Sequence, residues 1–386
     1  MIGYGFMGAA HSQGWRVAPR FFDLPAEPSM AVVVGRNSAA VAAAAQKWGW
    51  AEAATDWREV IARDDIDIVD IVTPGDTHAE IAIAALEAGK HVLCEKPLAN
   101  SVAEAEAMTD AAARAAERGV RAMVGFTYRR VPAATFARDL IAAGRIGEIR
   151  QVRASYRQDW LMDAEAPLTW RMQKDRAGSG ALGDIGAHAV DLSEYITGLR
   201  LESVSGVIDT IVRERPLLAE GVGLSGTAST ERGEVTVDDI ALFSGRYADP
   251  AGGYAPLGIF EATRFATGRK NALSIEVSGS LGAVAFDLER LNELDFYDAA
   301  LPSTEQGFRK ILVTEHDHPY LAPWWPAGHM LGYEHGFSHQ VVDFVTAIVE
   351  GEQPRPSFAD GLHVQRVLDA VERSSAAGSA WITTSG

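Results

Sequence analysis

The sequence predicts an α/β protein in two parts: a doubly wound parallel sheet, then an α+β domain on a large, open, mainly antiparallel sheet. Three observations lead there. The first third alternates short β-branched runs with Ala-rich stretches of helical spacing, the pattern of right-handed crossovers in a parallel sheet. From about residue 149 the runs alternate apolar and polar positions and are separated by Gly, Pro and Asp rather than by helices. A chain of 386 residues also has room for two or three domains, and no repeat or low-complexity linker interrupts it.

In the first domain, placed at 1–123, strands are expected at 30–34, 66–72, 91–94 and 122–126, with helices at 39–47, 57–62, 78–88 and 101–118. Gly89 and Gly119 follow two of these helices, where a left-handed cap is expected, and Asn100-Ser101 opens the longest as an N-cap. In the second domain, placed at 124–386, strands are expected at 149–156, 202–212, 235–243, 258–266, 272–277, 283–288 and 309–313. Helices are expected there at 183–197, 334–350 and 358–375.

Composition narrows the function. Thirty-five Lys and Arg against 52 Asp and Glu give a net charge of −17, the wrong sign for gripping nucleic acid or an anionic membrane. No apolar run reaches the ~18 residues that span a bilayer, and the N-terminus does not resemble a secretory signal. The single cysteine, Cys94, excludes an intrachain disulfide framework and fits a reducing, cytoplasmic setting. It reads as a packing residue rather than a nucleophile.

Gly3-Tyr4-Gly5-Phe6-Met7-Gly8 fits G-x-G-x-x-G, the phosphate turn of a dinucleotide-binding Rossmann domain. The helix opening at Phe6 and Met7 would aim its free N–H groups and positive dipole end at the phosphates. Only Met1 and Ile2 precede the motif, so the central first strand is almost missing. The natural chain is therefore expected to start a few residues earlier, or to carry an N-terminal piece beyond this sequence. Cofactor choice is normally set after the second strand, by an acid for NAD or an Arg for NADP. Here Gly35-Arg36-Asn37 offers no acid, so the expectation is NAD or NADP with a lean toward NADP from Arg36.

Cys94-Glu95-Lys96-Pro97 follows a buried strand and so lies at the carboxyl edge of the sheet, where ligands bind. Further on, Asp184 and His188 stand four apart in a helix beginning at Gly183 and share a face. An imidazole beside a carboxylate is a natural proton acceptor near neutral pH.

Together, the glycine turn, Thr73-Pro74 with His78, Glu95-Lys96-Pro97 and Gly183-Asp184 with His188 resemble the Gfo/Idh/MocA family of oxidoreductases. The resemblance covers nearly the whole chain in order. Tyr128-Arg129-Arg130, Gln158-Asp159-Trp160, Trp170-Arg171 and the 177–185 run resemble its branch of levoglucosan dehydrogenase and inositol-dehydrogenase relatives. The resemblance implies Lys96, Asp184 and His188 as catalytic residues. It also implies Thr73, Pro74, His78, Glu95 and Lys96 along the nicotinamide half of the cofactor, and a homodimer or homotetramer built through the second domain's sheet. Apolar positions alternating within 235–243 and 258–266 are the candidates for that contact.

The reaction then expected is NAD(P)-dependent hydride transfer at a secondary hydroxyl or ketone of a sugar, anhydrosugar or cyclitol. His188 takes the hydroxyl proton, Asp184 orients it, and Lys96 polarises the oxygen, with Lys96 as an alternative proton carrier. No metal is required, because the nicotinamide carries the hydride chemistry. Tyr128, Tyr156, Gln158, Trp160 and Trp170 suit a neutral polyol, while Arg129 and Arg171 leave a carboxylated substrate open. Two other readings share the fold: a catalytically silent sugar- or cofactor-sensing protein, and a redox-assisted glycoside-cleaving enzyme. Five histidines between 316 and 339 read as a cleft or interface loop rather than a metal site.

Overall fold

The computed structural model describes residues 1–222, 225–248 and 253–385. They form two compact units, Met1–Thr127 with Tyr333–Gln365, and Tyr128–Gly332 with Arg366–Gly386.

The first unit holds parallel strands β1 (Val32–Val34), β2 (Glu52–Ala54), β3 (Ile68–Ile71), β4 (His91–Cys94) and β5 (Ala122–Val124). They pair as β1 with β2 and as β3-β4-β5. Ile2 stands where a central strand belongs, bridging Val34 on one side and Ile71 on the other. Helices α1 (Phe6–Phe21), α2 (Ser38–Trp48), α3 (Trp57–Ile61), α4 (His78–Glu87) and α5 (Val102–Ala116) connect the strands. Ser101 caps α5 through Glu104 N–H, and Gly89 and Gly119 adopt positive φ, as their positions suggest.

The second unit carries α6 (Pro132–Ala142), α7 (Ala187–Thr197) and strands β6 (Ile149–Arg157), β7 (Leu201–Asp209), β8 (Glu214–Val222), β9 (Ser225–Glu234), β10 (Ile240–Tyr247), β11 (Leu257–Thr263), β12 (Ala272–Gly279), β13 (Gly282–Asp287), β14 (Glu293–Asp298), β15 (Arg309–Leu312) and β16 (Ile382–Thr383). Nine of them form one sheet in the order β15-β14-β13-β12-β6-β11-β10-β7-β16. Only β6 and β11 run parallel within it, and the other neighbours are antiparallel. Helix α7 covers one face, where Val152, Ala154, Tyr156, Ala262 and Leu273 are buried. Strands β8 and β9 pair with each other as a separate hairpin, which the sequence reading leaves out because its residues show no clean apolar alternation.

Two further helices, α8 (His335–Glu350) and α9 (Phe358–Ala376), complete the chain. The sequence places 333–365 in the second domain, but it packs with the first. Phe344, Val341 and Val345 of α8 close a core with Trp15, Ala18, Leu93 and Met123. The apolar stripe of α8 is satisfied by α1, a pairing of distant segments that periodicity does not reveal. The chain first crosses between units after Thr127, against an expected boundary of 123/124.

Candidate active site

The functional residues fall into two sets, one in each unit.

In the first unit, the glycine turn is shaped for a phosphate. Gly3 has φ +110, and a Cβ there would meet the Val72 carbonyl oxygen at 2.9 Å. A Cβ on Gly8 would meet the Gly3 oxygen at 2.9 Å, whereas Gly5 faces open space. Helix α1 starts with no side-chain cap and no acid in its first turn, so its terminal N–H groups are left to bind an anion. A dinucleotide phosphate fits this cradle. Met7 packs toward Val33 and Val72, while Phe6 is exposed and lies 6.3 Å from Tyr333, ring to ring. Arg36 is exposed just after β1; Asn37 spends its side chain capping α2 through Ala40 N–H at 3.0 Å.

The 73–78 and 94–98 turns meet through His78. Its Nε2 is 2.9 Å from the Thr73 oxygen and its Nδ1 3.1 Å from the Pro97 oxygen. The ring is buried and both nitrogens face carbonyls, so His78 braces two turns and has no surface to offer a cofactor. Glu95 is likewise internal: Oε1 lies 3.0 Å from His11 Nε2, and Oε2 accepts the Lys96 N–H at 3.2 Å. Both side chains are turned into the unit. Thr73, Pro74 and Lys96 are only part-buried and keep surface for a cofactor.

Below Glu95, His11 Nδ1 is 3.0 Å from both oxygens of Asp70, which also accepts Trp15 Nε1–H at 2.6 Å. Burial alone would lower the imidazole pKa, but the Asp70 charge and the bonds to both carboxylates outweigh it and raise it to about 10. The sequence reading misses His11. The available signal is Asp70, a lone acid inside an otherwise apolar buried strand, which demands a partner.

In the second unit, a single π turn, Leu182–Gly186, leads into α7 and carries Asp184, with His188 in the first turn of the helix. Asp238 holds this turn: its two carboxylate oxygens each accept at 2.7 Å, from Gly180 N–H and Leu182 N–H. Asp184 accepts from buried Arg264 at 3.1 Å, and Arg264 lies over Trp160. Burial lowers the Arg171 pKa against the opposing pull of Asp184, and its guanidinium stacks on Trp170 at 4.4 Å.

His188 is buried beside two tyrosines, its ring 4.5 Å from Tyr128 and 5.9 Å from Tyr156. A chain of neutral hydrogen bonds runs from there. Trp160 Nε1 donates to Gln158 Oε1 at 2.9 Å, Gln158 Nε2 donates to Asn271 Oδ1 at 2.9 Å, and Tyr156 donates to the same oxygen at 2.6 Å. Tyr128 and Tyr156 hydroxyls lie 2.8 Å apart. The indole can only donate, which fixes the Gln158 and Asn271 amides and commits the Tyr156 proton to Asn271. Tyr128 must then donate to Tyr156, so toward any other group the Tyr128 oxygen accepts. Asn271 and Arg264 are absent from the sequence reading, because both lie on strands or loops far from any motif.

Arg129 is engaged inside its own unit. Its guanidinium makes three bonds of 2.6–3.1 Å to buried Asp191, so the charge is consumed inside the unit and is not offered to a carboxylated substrate. Among the described residues, no three His, Cys, Asp or Glu side chains gather as a metal-binding group.

Comparison with known proteins follows the same division. Residues 1–126 match an oxidoreductase family model described as an NAD-binding Rossmann fold, and residues 135–285 match the GFO/IDH/MocA C-terminal domain. Levoglucosan dehydrogenase of Pseudarthrobacter phenanthrenivorans is 42% identical over 387 residues, spanning 99% of this chain and 96% of its own. The crystal structure of an oxidoreductase domain protein from Kribbella flavida is 62% identical with TM-score 0.93, covering 100% of this chain and 98% of its own. A levoglucosan dehydrogenase in complex with NADH and levoglucosan superposes with TM-score 0.91 at 40% identity, over 100% of this chain and 98% of its own.

Proposed function

The chain belongs to the Gfo/Idh/MocA family of oxidoreductases, and from that premise we propose a dehydrogenase or reductase acting at a secondary hydroxyl or ketone of a sugar, anhydrosugar or cyclitol. The observation that carries the substrate class is the chain Trp160–Gln158–Asn271–Tyr156–Tyr128 beside His188. It joins aromatic faces to neutral polar groups and ends on an oxygen that accepts. That is a surface for a hydroxyl-rich, uncharged ring, and burial of Arg129 against Asp191 removes one cation that an acid substrate would use. The similarity to an enzyme bound to NADH and levoglucosan supports the same reading.

Bound nicotinamide supplies the hydride acceptor or donor. Gly3, Gly5 and Gly8, with the start of α1, would hold the phosphates, and Thr73, Pro74 and Lys96 would border the nicotinamide. His188 takes the hydroxyl proton, Asp184 orients and charges the imidazole, and Lys96 stabilises the alkoxide oxygen. NAD is the cofactor favoured by the family description and the NADH complex. The acid-free turn and exposed Arg36 favour NADP as a second reading.

The outer face of the sheet supports a homodimer or homotetramer. Val207 and Leu242 are paired across β7 and β10, Ile259 lies on neighbouring β11, and the three are 48%, 43% and 52% exposed. Apolar side chains adjacent on one sheet face commonly mark an interface. No helix among the described residues is long and apolar enough to cross a membrane, and lone, buried Cys94 suits a cytoplasmic setting.

The test is a panel of sugars, anhydrosugars and cyclitols offered with NAD and with NADP, following reduced cofactor by absorbance. Turnover with at least one neutral polyol is expected. Activity confined to carboxylated substrates would overturn the substrate class.

A further inference from the structure

Strand β3 carries a charge where a parallel strand is normally all apolar. Asp70 is 2% exposed, between Val69 and Ile71, both buried. A carboxylate there needs a cation and hydrogen bonds to offset the loss of water. It receives Trp15 Nε1–H and the His11 Nδ1 edge, both from α1. The opposite edge of the same ring, Nε2, meets Glu95 Oε1, and Glu95 Oε2 takes the backbone N–H of Lys96. Ionised carboxylates only accept, so an imidazole held between two of them carries protons on both nitrogens.

Helix α1 is also the helix whose uncapped start faces the phosphate cradle, and His11 lies little more than one turn inside it. One side chain therefore links three things: the phosphate-binding helix, the core strand β3, and the turn that carries Lys96. We propose that His11 is a positioning residue, an imidazolium that ties α1 to Glu95 and thereby sets the Lys96 turn for cofactor binding and turnover. The Lys96 part of this inference rests on the proposed function above; the ion triad does not.

The other groups facing the triad are few. Cys94 lies beside both acids with its thiol pushed up by burial, and the Phe337 ring of α8 packs on the imidazole at 5.3 Å. Neither of them supplies a second cation to Glu95. Replacing His11 by Gln leaves two buried carboxylates sharing neutral donors, an arrangement that burial and mutual repulsion relieve by taking up a proton. The defect should then be larger at high pH than at low pH. Making Glu95 neutral as well should remove that dependence, since the two introduced amides can bond to each other without charge.

The experiment measures NADH affinity by fluorescence for wild type, His11→Gln, Glu95→Gln and the double variant at pH 6 and pH 9, alongside 15N NMR of the wild-type imidazole rings. The expected NMR result is one histidine whose two ring nitrogens both stay protonated while exposed histidines titrate. The expected binding result is a loss on the order of tenfold for His11→Gln at pH 9, a smaller loss at pH 6, and recovery in the double variant. A neutral His11 ring at pH 8 overturns the proposal even where a variant fails to fold. So does a His11→Gln protein that melts lower but binds NADH like wild type at both pH values, because His11 then only packs. If these results hold and no polyol is turned over, the positioning role stands and the proposed substrate class falls.

Discussion

Lys96 is half-buried at the head of its turn, its backbone N–H on Glu95 and the following Pro97 oxygen on His78. That framework holds the backbone whatever side chain position 96 carries. Lys96→Met should therefore fold and yet lose about two to four orders of magnitude in kcat, the effect of removing an acid–base or electrostatic group. Steady-state kinetics read it, and turnover within about tenfold of wild type would remove Lys96 from the chemistry. At Arg36, Ala should weaken NADP far more than NAD if the guanidinium meets the 2′-phosphate; equal losses by titration calorimetry would show that Arg36 does not discriminate. His11 gives a pH prediction. Its folded value of about 10 stands above the ordinary value of 6.5, so the folded state keeps a proton that the unfolded chain releases. The stability this supplies is fully present below about 6.5 and is lost as pH rises toward 10. The wild-type melting temperature should fall across that window, and a melting temperature that stays level from about 6.5 to about 10 would show that His11 carries no extra proton in the folded state.

At the scale of elements, the π turn Leu182–Gly186 shows how local motifs are held by distant ones. The N–H groups of Leu182 and of Gly180, two residues before the turn, end on Asp238, far along the chain. Asp238→Ala leaves both donors buried without that acceptor, at a cost of about 3 kcal/mol. Lower thermal stability and weaker turnover are expected together, and an unchanged melting temperature would show that the turn holds itself. This also explains what the sequence can and cannot reveal. The glycine turn, the Glu95–Lys96 turn and the Asp184–His188 helix are legible because each compresses its chemistry into a few adjacent residues. Asn271, Arg264 and His11 act through partners 80 or more residues away, or 59 in the case of Asp70, and no periodicity marks them. Glu95, His78 and Arg129 were legible as important, but their side chains turn inward, a direction that a motif does not state.

At the scale of the whole molecule, the nine-stranded sheet leaves Val207, Leu242 and Ile259 on its outer face while Ala241, Phe243 and Phe260 fill the inner one. Leu242→Asp with Ile259→Asp should yield monomers with an intact fold, and sedimentation equilibrium at micromolar protein reads it. A wild-type chain already at the mass of one subunit would sink the oligomer. The first unit draws its elements from two parts of the chain, since α8 returns to it and closes its core on α1. A cut after 123 would therefore remove Val341, Phe344 and Val345 from that core. The proposed reaction takes a neutral polyol held by the tyrosine–amide chain beside His188. The most direct measurement is cofactor reduction with levoglucosan and a set of cyclitols, wild type against Asn271→Ala. Turnover of at least one of them is expected and, in the variant, a raised KM from the broken Gln158–Asn271–Tyr156 link. Absence of turnover with every neutral polyol, or a variant indistinguishable from wild type, would contradict it.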